Sequence, residues 1–484
     1  MSDKEEKKRV QTSESDCIGT INVNETLGYY EDISKQRSIA DLSQLTAEQQ
    51  HRIILNKVAK THDLPVNPSN QELLDQLKWS KENNKPLVVK FGIDPTGSEA
   101  HVGHMVSLMM GDRLLRMGHH FILIVGDFTA KIGDGSGRSS ARVALTDEQI
   151  AKNLQTYKEQ AAKVIDVNKI EYRFNSEWLG KITSAQLVAL AQKISASQMW
   201  QRDDFQKRLE MGSPISMAEL LYPVFMAMDS VELVPDIELG GLDQYINLLW
   251  CREIMRIHNQ KPETFITVDL IPGTDGRLDM EGRIMKMSKS LGNYIAISES
   301  ADEMYGKTMS IPDDVMWIWL RELTELYEEE ITDLRKRTEM SSTDNEFVHP
   351  KELKRMLARL VVGRFNNWDV DIINKAERYF DESTASSTKK GGVPEDASVE
   401  MFEVVKKDGA FLSSHIALLG KAFDISGSQV KRLITQGGVK VLKDEEFVDL
   451  PKTLDGFVDE INQVIEANGD AVLRLGKRNF IRIS

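Results

Sequence analysis

Two apolar segments on either side of a helical pattern constrain the fold of this chain more than any other feature. The segments, residues 85–94 and 120–128, read KPLVVKFGID and HFILIVGDF, and the helical pattern HVGHMVSLMMGDRLLRMGH lies between them. Short apolar runs that end in polar or turn residues are typical of strands buried on both faces of a sheet. Strand, helix and strand in this order predict a βαβ unit, which requires a parallel sheet and a right-handed crossover. Helical patterns from 147 to 212 and a further predicted strand, TFITVDLI at 264–271, extend this α/β arrangement.

The length of the chain predicts several domains. Its 484 residues exceed one ordinary core, which predicts roughly two to four domains. The polar, weakly patterned N-terminus is typical of a flexible extension, and the Ser-, Thr- and Gly-rich segment DESTASSTKKGGVPEDAS predicts a linker. The predicted divisions are a flexible extension at 1–45, an α/β domain at 46–300 with a connective segment at about 145–215, a helical domain at 301–380, a linker at 381–398 and a small α+β domain at 399–484.

The composition argues against several classes of protein. No apolar run reaches the ~18 residues that span a membrane, and the start MSDKEEKKRVQTSESD lacks the apolar segment of a secretory signal. We therefore expect a cytoplasmic location. The two cysteines, Cys17 and Cys251, cannot build a disulfide framework or a zinc site. A net charge of −14 argues against indiscriminate nucleic-acid binding but is compatible with a local basic face that binds RNA.

Two histidines, His101 and His104, begin the helical pattern after the first predicted strand. In parallel sheets, ligands bind at the carboxyl ends of strands, where the amide groups of helix N-termini favour anions. A spacing of three places both side chains on one face of the first turn, and Gly103 leaves room for a flat ring near the backbone. This pattern predicts a nucleotide site with phosphates over the helix start. For an isolated His-x-x-His, the alternative is a capping and packing role.

A second motif, KMSKS at 286–290, lies in a Gly-rich polar region without a helical period. On a mobile loop, its two lysines can close on a pyrophosphate and neutralise charge that develops as the α-phosphate is attacked. Alone, KMSKS also fits a solvated loop. Together with HVGH it forms a specific pair, and in this pair the chain resembles the class I aminoacyl-tRNA synthetases.

The resemblance extends to the bacterial tyrosyl-tRNA synthetases and covers roughly residues 47–484 in order. It rests on VVKFGIDPTGSEAHVGH, VGDFTAKIGDGSGRSS, FNSEWLGKIT, PISMAELLYPVFMAMDSVELVPDIELGGLDQYINLL and KMSKSLGNY. It implies a Rossmann-like parallel-sheet catalytic domain that binds nucleotide, followed by a helical tRNA-binding domain. The C-terminal segment ISGSQVKRLITQGGVKV is similar to the ribosomal-protein-type RNA-binding fold of these enzymes.

The resemblance implies which residues handle ATP, with Mg²⁺, as a substrate. Those that it assigns to catalysis at the phosphates are His101, His104, Lys286, Lys289, Thr96, Arg142 and Arg138. Those that it assigns to ATP binding are Gly92, Asp94, Gly103, Gly241, Asp243, Met287 and Ser288. Asp243 would hold the ribose hydroxyls, which are good partners for a carboxylate. Catalysis of this kind is electrostatic and needs no covalent enzyme intermediate.

The resemblance also implies an amino-acid pocket, formed by Asp229, Tyr222, Asp134, Thr129, Gln244 and Met226. Asp229 falls on the position that accepts the phenolic hydrogen of tyrosine. A buried carboxylate there would reject phenylalanine, which leaves it unpaired, and tyrosyl-tRNA synthetases are themselves the standard example of this discrimination. For Asp229 alone, the alternative is a surface charge near a helix end.

The chain departs from the family pattern beside this pocket. The family reads YP-x-x-Q-x-Y-D, whereas this chain reads YPVFMAMD. Met226 stands where the family glutamine accepts from the substrate ammonium, a contact of about 1.5–3 kcal/mol that a thioether does not replace. Met228 replaces a tyrosine, Leu242 replaces a Thr or Ser, and GDGSG stands where GDPSG is common.

Two functions of different class follow. The first is a tyrosine–tRNA ligase, which forms tyrosyl-adenylate from ATP and tyrosine and transfers the tyrosyl group to tRNA(Tyr). The second is a synthetase paralogue that adenylates another hydroxyaryl acid, for example one without the α-amine, for a non-tRNA biosynthetic acceptor. A third reading, an RNA-binding protein without turnover, conflicts with the complete HVGH and KMSKS motifs.

The sequence also predicts two macromolecular partners, a second copy of the chain and RNA. The family forms homodimers through the segment at about 145–215, and a closed two-fold dimer is expected here. Basic residues of the C-terminal unit are suited to RNA phosphates, with a solvated surface as the alternative. They are Lys431, Arg432, Lys440, Arg474, Lys477, Arg478 and Arg482.

Overall fold

The structure of the chain is a computed structural model. The residues it describes are 23–59, 70–97, 99–132, 145–195, 203–212, 214–279, 282, 284–388, 400–402, 419, 427–436, 438–443, 446–468, 471–475 and 479–483. The chain divides into two compact units, Met1–Val370 and Asp371–Ser484. Within the described part of the chain, none of the helices has both the length and the apolar character needed to cross a membrane.

A five-stranded parallel sheet forms the centre of the first unit. Its strands are β1 (Val88–Ile93), β2 (His120–Val125), β3 (Glu171–Phe174), β4 (Ile237–Gly241) and β5 (Thr264–Val268). Their spatial order is β3-β2-β1-β4-β5, and every neighbouring pair is parallel. All five residues of β5 are buried, which explains its apolar, β-branched composition. The predicted parallel α/β sheet is confirmed.

The helices of the first unit precede, connect and follow these strands. They are α1 (Val23–Ile39), α2 (Ala47–Leu55), α3 (Asn70–Asn83), α4 (Val102–Arg116), α5 (Asp147–Ala161), α6 (Ser176–Leu179), α7 (Ser184–Ala191), α8 (Asp203–Glu210), α9 (Met217–Leu233), α10 (Tyr245–Ile257), α11 (Ala301–Met309), α12 (Asp313–Leu323), α13 (Glu328–Glu339) and α14 (Pro350–Phe365). Helix α4 connects β1 to β2, as the predicted βαβ unit requires. Its buried positions are mainly apolar, including three methionines, Met105, Met109 and Met110.

The order of the strands creates a site for a ligand. The chain proceeds from β1 to β2 and β3 on one side, and then returns to β4 and β5 on the other. The carboxyl ends of β1 and β4 therefore flank the point where the strand order reverses. In open parallel sheets, ligands bind in the crevice at this point.

The N-terminal extension differs from its prediction. Helix α1 packs against α14 and is hydrogen-bonded to α13, where the buried Tyr30 donates from its hydroxyl to Asp333 Oδ2 at 2.9 Å. Arg37 makes two hydrogen bonds to the Glu330 carboxylate, at 2.7 and 2.9 Å. Many contacts of α1 with the rest of the unit are polar. The sequence of α1 therefore lacks the apolar stripe by which a packed helix is usually recognised. The prediction of a flexible extension is wrong for α1, and residues 1–22 lie outside the described range.

The helical region after the sheet extends further than predicted. Four helices, α11 to α14, occupy most of residues 301–365, and a further helix, α15, covers Val370–Thr388. The first part of the predicted linker at 381–398 is therefore helical. Residues 389–399 lie outside the described range.

The second unit contains its own sheet and core. Its strands are β6 (Glu400–Phe402), β7 (Val439–Lys443), β8 (Glu446–Asp449), β9 (Ala471–Leu475) and β10 (Asn479–Ile483), in the order β6-β10-β9-β7-β8. Two further helices, α16 (Gly427–Gln436) and α17 (Leu454–Asn468), belong to this unit. Val430, Val441, Phe457, Ile461 and Leu473 are among the buried residues of its core. The predicted small α+β fold is confirmed.

Candidate active site

A cavity of about 810 Å³ lies at the carboxyl ends of β1 and β4. The predicted site residues that the structure describes all line it. They are Gly92, Asp94, Thr96, His101, Gly103, His104, Thr129, Tyr222, Met226, Asp229, Gly241, Asp243, Gln244, Lys286, Met287, Ser288 and Lys289. The other three predicted residues, Asp134, Arg138 and Arg142, lie outside the described residues. Residues nearly 200 positions apart in the sequence thus meet in one cavity.

The two histidines form a stacked pair at the start of α4. Their ring centroids are 3.6 Å apart, with 20° between the ring planes. The His101 backbone N–H donates to His104 Nδ1 at 3.2 Å, and the His104 N–H donates to the His101 carbonyl at 2.9 Å. An added Cβ on Gly103 would lie 3.0 Å from His101 Nδ1, so glycine leaves room for the ring. The histidines cap the helix and also line the cavity, so the two readings of the motif are compatible.

Both histidines are neutral at pH 7. Burial, followed by the charges of His104 and the two loop lysines, lowers the pKa of His101 to about 2. Burial and the same lysines lower the pKa of His104 to about 4. Because His104 Nδ1 accepts a hydrogen bond, the neutral ring carries its proton on Nε2. The pair therefore offers hydrogen-bond donors, while the positive charge at this end of the cavity comes from lysine.

The two lysines of KMSKS lie on either side of an anchored loop residue. The buried Met287 donates from its backbone N–H to the Ile271 carbonyl at 2.9 Å. Lys286 Nζ lies 2.9 Å from Asp243 Oδ2, and both side chains are partly exposed. Lys289 Nζ donates to the carbonyl of Glu99, and burial lowers the pKa of Lys289 below its ordinary value. Two cations are thus held beside the histidine pair through contacts that a ligand can replace.

A hydrogen-bonded group around Asp94 forms another part of the cavity wall. Asp94 accepts from Thr129 Oγ1 at 2.7 Å through Oδ1, and from the Tyr222 hydroxyl at 3.0 Å through Oδ2. Asn175 Nδ2 donates to Thr129 Oγ1 at 3.1 Å. An added Cβ on Gly126 would lie 2.1 Å from Asp94 Oδ1, so only glycine permits this arrangement. The group presents polar atoms with defined positions to a substrate.

Asp229 is a buried carboxylate on α9 with two side-chain donors. It accepts from Trp178 Nε1 at 2.8 Å through Oδ1 and from Asn175 Nδ2 at 3.5 Å through Oδ2. Burial raises the pKa of Asp229 to about 7, against the lowering effects of Lys90 and of these donors. At neutral pH this carboxyl therefore lies near its own midpoint, and its charge is sensitive to neighbouring groups.

The three apolar departures from the family pattern have different positions. Among them, only Met226 belongs to the described lining of the cavity. Met228 packs against apolar clusters formed around Val224 and Phe225. Leu242 packs against the cluster of Tyr245, Leu248 and Phe265. A direct effect on the substrate is therefore expected from Met226 alone.

Sequence reasoning missed three charged residues of the cavity, Glu99 and two that lie on strands. Lys90 on β1 and Glu238 on β4 line it beside Asp229. Their side chains are 1% and 0% exposed and form an ion pair with 2.7 Å between Nζ and Oε1. A signal was present, because a lysine inside the apolar run LVVKFGI and a glutamate inside IELGG are unusual in strands buried on both faces.

This combination of fold and cavity agrees with comparisons to known proteins. Residues 81–378 match the family described as tRNA synthetases class I (W and Y), and the chain belongs to this family. The tyrosine–tRNA ligase of Desulfotalea psychrophila is 39% identical over 418 residues, which cover 86% of this chain and 94% of that protein. The tyrosine–tRNA ligase of Thermotoga maritima is 38% identical over 440 residues, covering 91% and 98%.

Solved structures agree in fold. A C-terminally truncated mitochondrial tyrosyl-tRNA synthetase of Aspergillus nidulans has a TM-score of 0.52 at 17% identity, covering 74% of this chain and 99% of that one. Tyrosyl-tRNA synthetase of Archaeoglobus fulgidus complexed with L-tyrosine has a TM-score of 0.51 at 18% identity, covering 68% and 99%. The predicted family and α/β fold class are confirmed. The predicted tyrosine–tRNA ligase activity is also supported, and nothing in the comparisons favours the alternative acid.

Proposed function

We propose that the chain activates tyrosine with ATP and transfers the tyrosyl group to tRNA(Tyr). The observation that carries the proposal is a single cavity with a buried carboxylate, Asp229, and with the HVGH and KMSKS side chains. The carboxylate suits a ring hydroxyl, and the histidines and lysines suit phosphates. Relatives that share 36 to 40% of their residues with this chain over most of its length are tyrosine–tRNA ligases.

In the activation step, the carboxylate oxygen of tyrosine attacks the α-phosphorus of ATP, and pyrophosphate leaves. Negative charge increases on the α-phosphate oxygens in the transition state. The neutral His101 and His104 donate hydrogen bonds to these oxygens, and Lys286 and Lys289 supply positive charge towards the pyrophosphate. Mg²⁺ enters with ATP as part of that substrate and adds positive charge at the phosphates.

Asp243 and Asp94 take separate tasks in this proposal. Lys286 leaves Asp243 for the phosphates, and the freed Asp243 carboxylate accepts from the ribose hydroxyls. Asp94, with the Tyr222 hydroxyl, lies where the family holds the adenylate and the substrate ammonium. Because Met226 offers no strong acceptor, these oxygens and Asp134 bind the ammonium.

The C-terminal unit is the proposed contact surface for tRNA. In the described part of this unit, Lys431 is exposed, and Lys440 lies 2.8 Å from Asp449 in an ion pair. Lys477 and Arg478 lie outside the described residues. Deletion of 399–484 should leave activation of tyrosine intact but impair charging of tRNA, and charging should weaken steeply as salt rises. Unchanged charging after the deletion would contradict an RNA-binding role.

We also propose a homodimer through the segment at about 145–215. In and next to this segment, large apolar side chains are exposed, among them Val188 at 57% and Met211 at 65%. Burial of such residues at a two-fold interface would stabilise the dimer. Light scattering should give about twice the chain mass of 54.8 kDa at micromolar concentration, and a mass of one chain would contradict the proposal.

The proposed function is tested by pyrophosphate exchange with several acids. The acids are tyrosine, phenylalanine and 3-(4-hydroxyphenyl)propionate, which lacks the amine. We expect exchange with tyrosine at least ~100-fold above that with phenylalanine, followed by charging of tRNA(Tyr). A clear preference for the amine-free acid would contradict the tyrosine–tRNA ligase assignment.

A further inference from the structure

A cluster of buried charged and polar side chains lies directly behind Asp229. Strand register places Lys90 on β1 opposite Glu238 on β4. Besides its ion pair with Glu238, Lys90 Nζ donates to Ser230 Oγ at 2.5 Å. Ser230 follows Asp229 on α9, and its hydroxyl donates to Glu263 Oε1 at 3.1 Å. We call Lys90, Ser230, Glu238 and Glu263 the inner cluster.

The inner cluster connects three strands to the helix that carries Asp229. Lys90 belongs to β1, Glu238 to β4, and Glu263 immediately precedes β5. The hydrogen bonds of Lys90 and Glu263 meet at Ser230, next to Asp229 in the chain. The cluster therefore restricts where the Asp229 carboxylate can lie relative to the sheet.

The charges of the cluster do not cancel if every carboxyl is ionised. Asp229, Glu238 and Glu263 are all buried, and the Lys90 ammonium is paired directly with Glu238. Burial, followed by the charge of Glu238, raises the pKa of Glu263 well above its ordinary value. Burial alone would lower the pKa of Lys90, but Glu238 and Glu263 outweigh it and raise that pKa. Burial and the neighbouring charges therefore favour a charged Lys90 and a protonated Glu263.

Side chains from other elements also face this region, and Arg252 of α10 donates to the backbone carbonyl of Glu263. From α10, Cys251 lies close enough that its sulfur and one oxygen each of Glu238 and Glu263 are within 4.8 Å of one another. Burial raises the pKa of the Cys251 thiol, so it remains neutral. From the side of β3, Trp178 and Asn175 donate to Asp229 but bring no charge.

We propose that Lys90 is a positioning residue for substrate choice, because its buried charge favours the ionised form of Asp229 and its bond to Ser230 holds Asp229 in place to accept a ring hydroxyl. This inference rests on the proposed tyrosine activation and deepens it. A protonated Asp229 would have one acceptor fewer for the phenol, and an unpaired neutral carboxyl would tolerate phenylalanine better than an unpaired carboxylate does. Lys90 thus contributes to the discrimination between the two amino acids.

The sign of the pH effect follows from the state of Asp229. Its raised pKa means that the carboxyl is protonated below about pH 7 and ionised above it. Tyrosine use should therefore increase as pH rises through this range. Removal of the positive charge of Lys90 raises the pKa of Asp229 further, so the increase should move to higher pH.

The test compares three forms of the full chain by tyrosine- and phenylalanine-dependent pyrophosphate exchange. The wild type is compared with Lys90→Met and with the double variant Lys90→Met/Glu238→Gln, in which neither residue of the ion pair is left as an unpaired charge. Rates are measured from about pH 5.5 to about 8.5, below the ordinary pKa of the substrate phenol. Lys57→Met is the matched control, because Lys57 is also buried but binds the carbonyls of Arg321 and Leu326 outside the cavity.

We expect kcat/KM for tyrosine to fall ~10-fold at pH 7 in the double variant and to recover as pH rises by about one unit or more. Phenylalanine use and the KM for ATP should change by less than about threefold, so the tyrosine-to-phenylalanine ratio falls ~10-fold. Lys57→Met should leave both the ratio and the pH profile unchanged.

Two results would overturn the inference while leaving the proposed function intact. One is a double variant with the wild-type pH profile, and the other is an equal loss for both amino acids at every pH. A wild type without exchange on any hydroxyaryl acid would instead overturn the proposed function, and this inference with it.

Discussion

The cavity has an amino-acid end, around Asp229 and the inner cluster, and a phosphate end, around the two histidines and the KMSKS lysines. The two ends differ in how far their ion pairs are exposed to solvent. In the inner cluster, the ion pair of Lys90 and Glu238 is 1% and 0% exposed. At the phosphate end, the pair of Lys286 and Asp243 is 44% and 31% exposed. Loss of one partner strongly destabilises a buried pair, whereas an exposed pair contributes little. The amino-acid end is therefore preorganised, while the lysines of the phosphate end can exchange protein partners for ligand.

The largest expected effect is on stability at the buried end. Glu238→Ala leaves the Lys90 ammonium without its partner in a place that water does not reach. We expect the free energy of unfolding to fall by ~3–5 kcal/mol, measured by urea denaturation. The double variant Lys90→Met/Glu238→Gln should regain most of this loss, because no isolated charge is left. A loss below about 1 kcal/mol for Glu238→Ala would mean that the two ends do not differ.

The second-largest expected effect is on the rate of catalysis at the phosphate end, not on folding. His104→Ala removes a neutral donor to the α-phosphate, and Lys289→Ala removes a cation near the leaving group. Each should lower the rate of adenylate formation by ~100-fold or more while changing ATP affinity far less, since these contacts strengthen in the transition state. Single-turnover kinetics give the rate.

A matched control is His258→Ala, which removes a histidine at the end of α10 that is not part of the described cavity lining. It should leave the rate near that of the wild type. Rates within about threefold of the wild type for both His104→Ala and Lys289→Ala would contradict their catalytic assignment.

The same difference between the two ends explains what the sequence could predict. The phosphate end was predictable because HVGH and KMSKS are short, contiguous motifs whose spacing and composition are specific as a pair. The parallel sheet was predictable because β1 and β2 are mainly apolar runs on either side of a helix. In both cases the signal lies within a few neighbouring residues.

The inner cluster could not be predicted in this way. Its members come from four separate segments, and their significance depends on strand order, which brings Lys90 opposite Glu238. Helix α1 escaped prediction for a related reason. Its partners, Glu330 and Asp333, lie about 300 residues away in the sequence, and no local pattern indicates such ion pairs and hydrogen bonds.

A smaller effect is expected at Met226. This side chain lines the cavity and also packs against the cluster of Tyr245, Leu248 and Phe265. Met226→Gln adds an acceptor for the substrate ammonium and should improve kcat/KM for tyrosine up to ~10-fold, which corresponds to ~1.4 kcal/mol. The measurement is pyrophosphate exchange with tyrosine and with 3-(4-hydroxyphenyl)propionate.

Met228→Gln is the matched control for this substitution. Met228 lies on the same helix, α9, and packs against apolar clusters, but it is not part of the described cavity lining. It should cost stability without improving tyrosine use. The opposite result is that the wild type uses only the amine-free acid well and that Met226→Gln lowers activity on this acid. The native substrate would then have no ammonium for the amide to bind.

The smallest expected effect is the stability of the chain after Lys286→Ala. The pair with Asp243 is partly exposed on both sides, so its loss should lower the free energy of unfolding by less than about 1 kcal/mol, measured by urea denaturation without ligand. Asp243→Ala breaks the same pair from the other side and should give the same small change. A loss above about 2 kcal/mol for both variants would show that the pair is structural. Lys286 would then be unable to leave Asp243 for the phosphates, and the contrast between a preorganised end and an exchangeable end would fail.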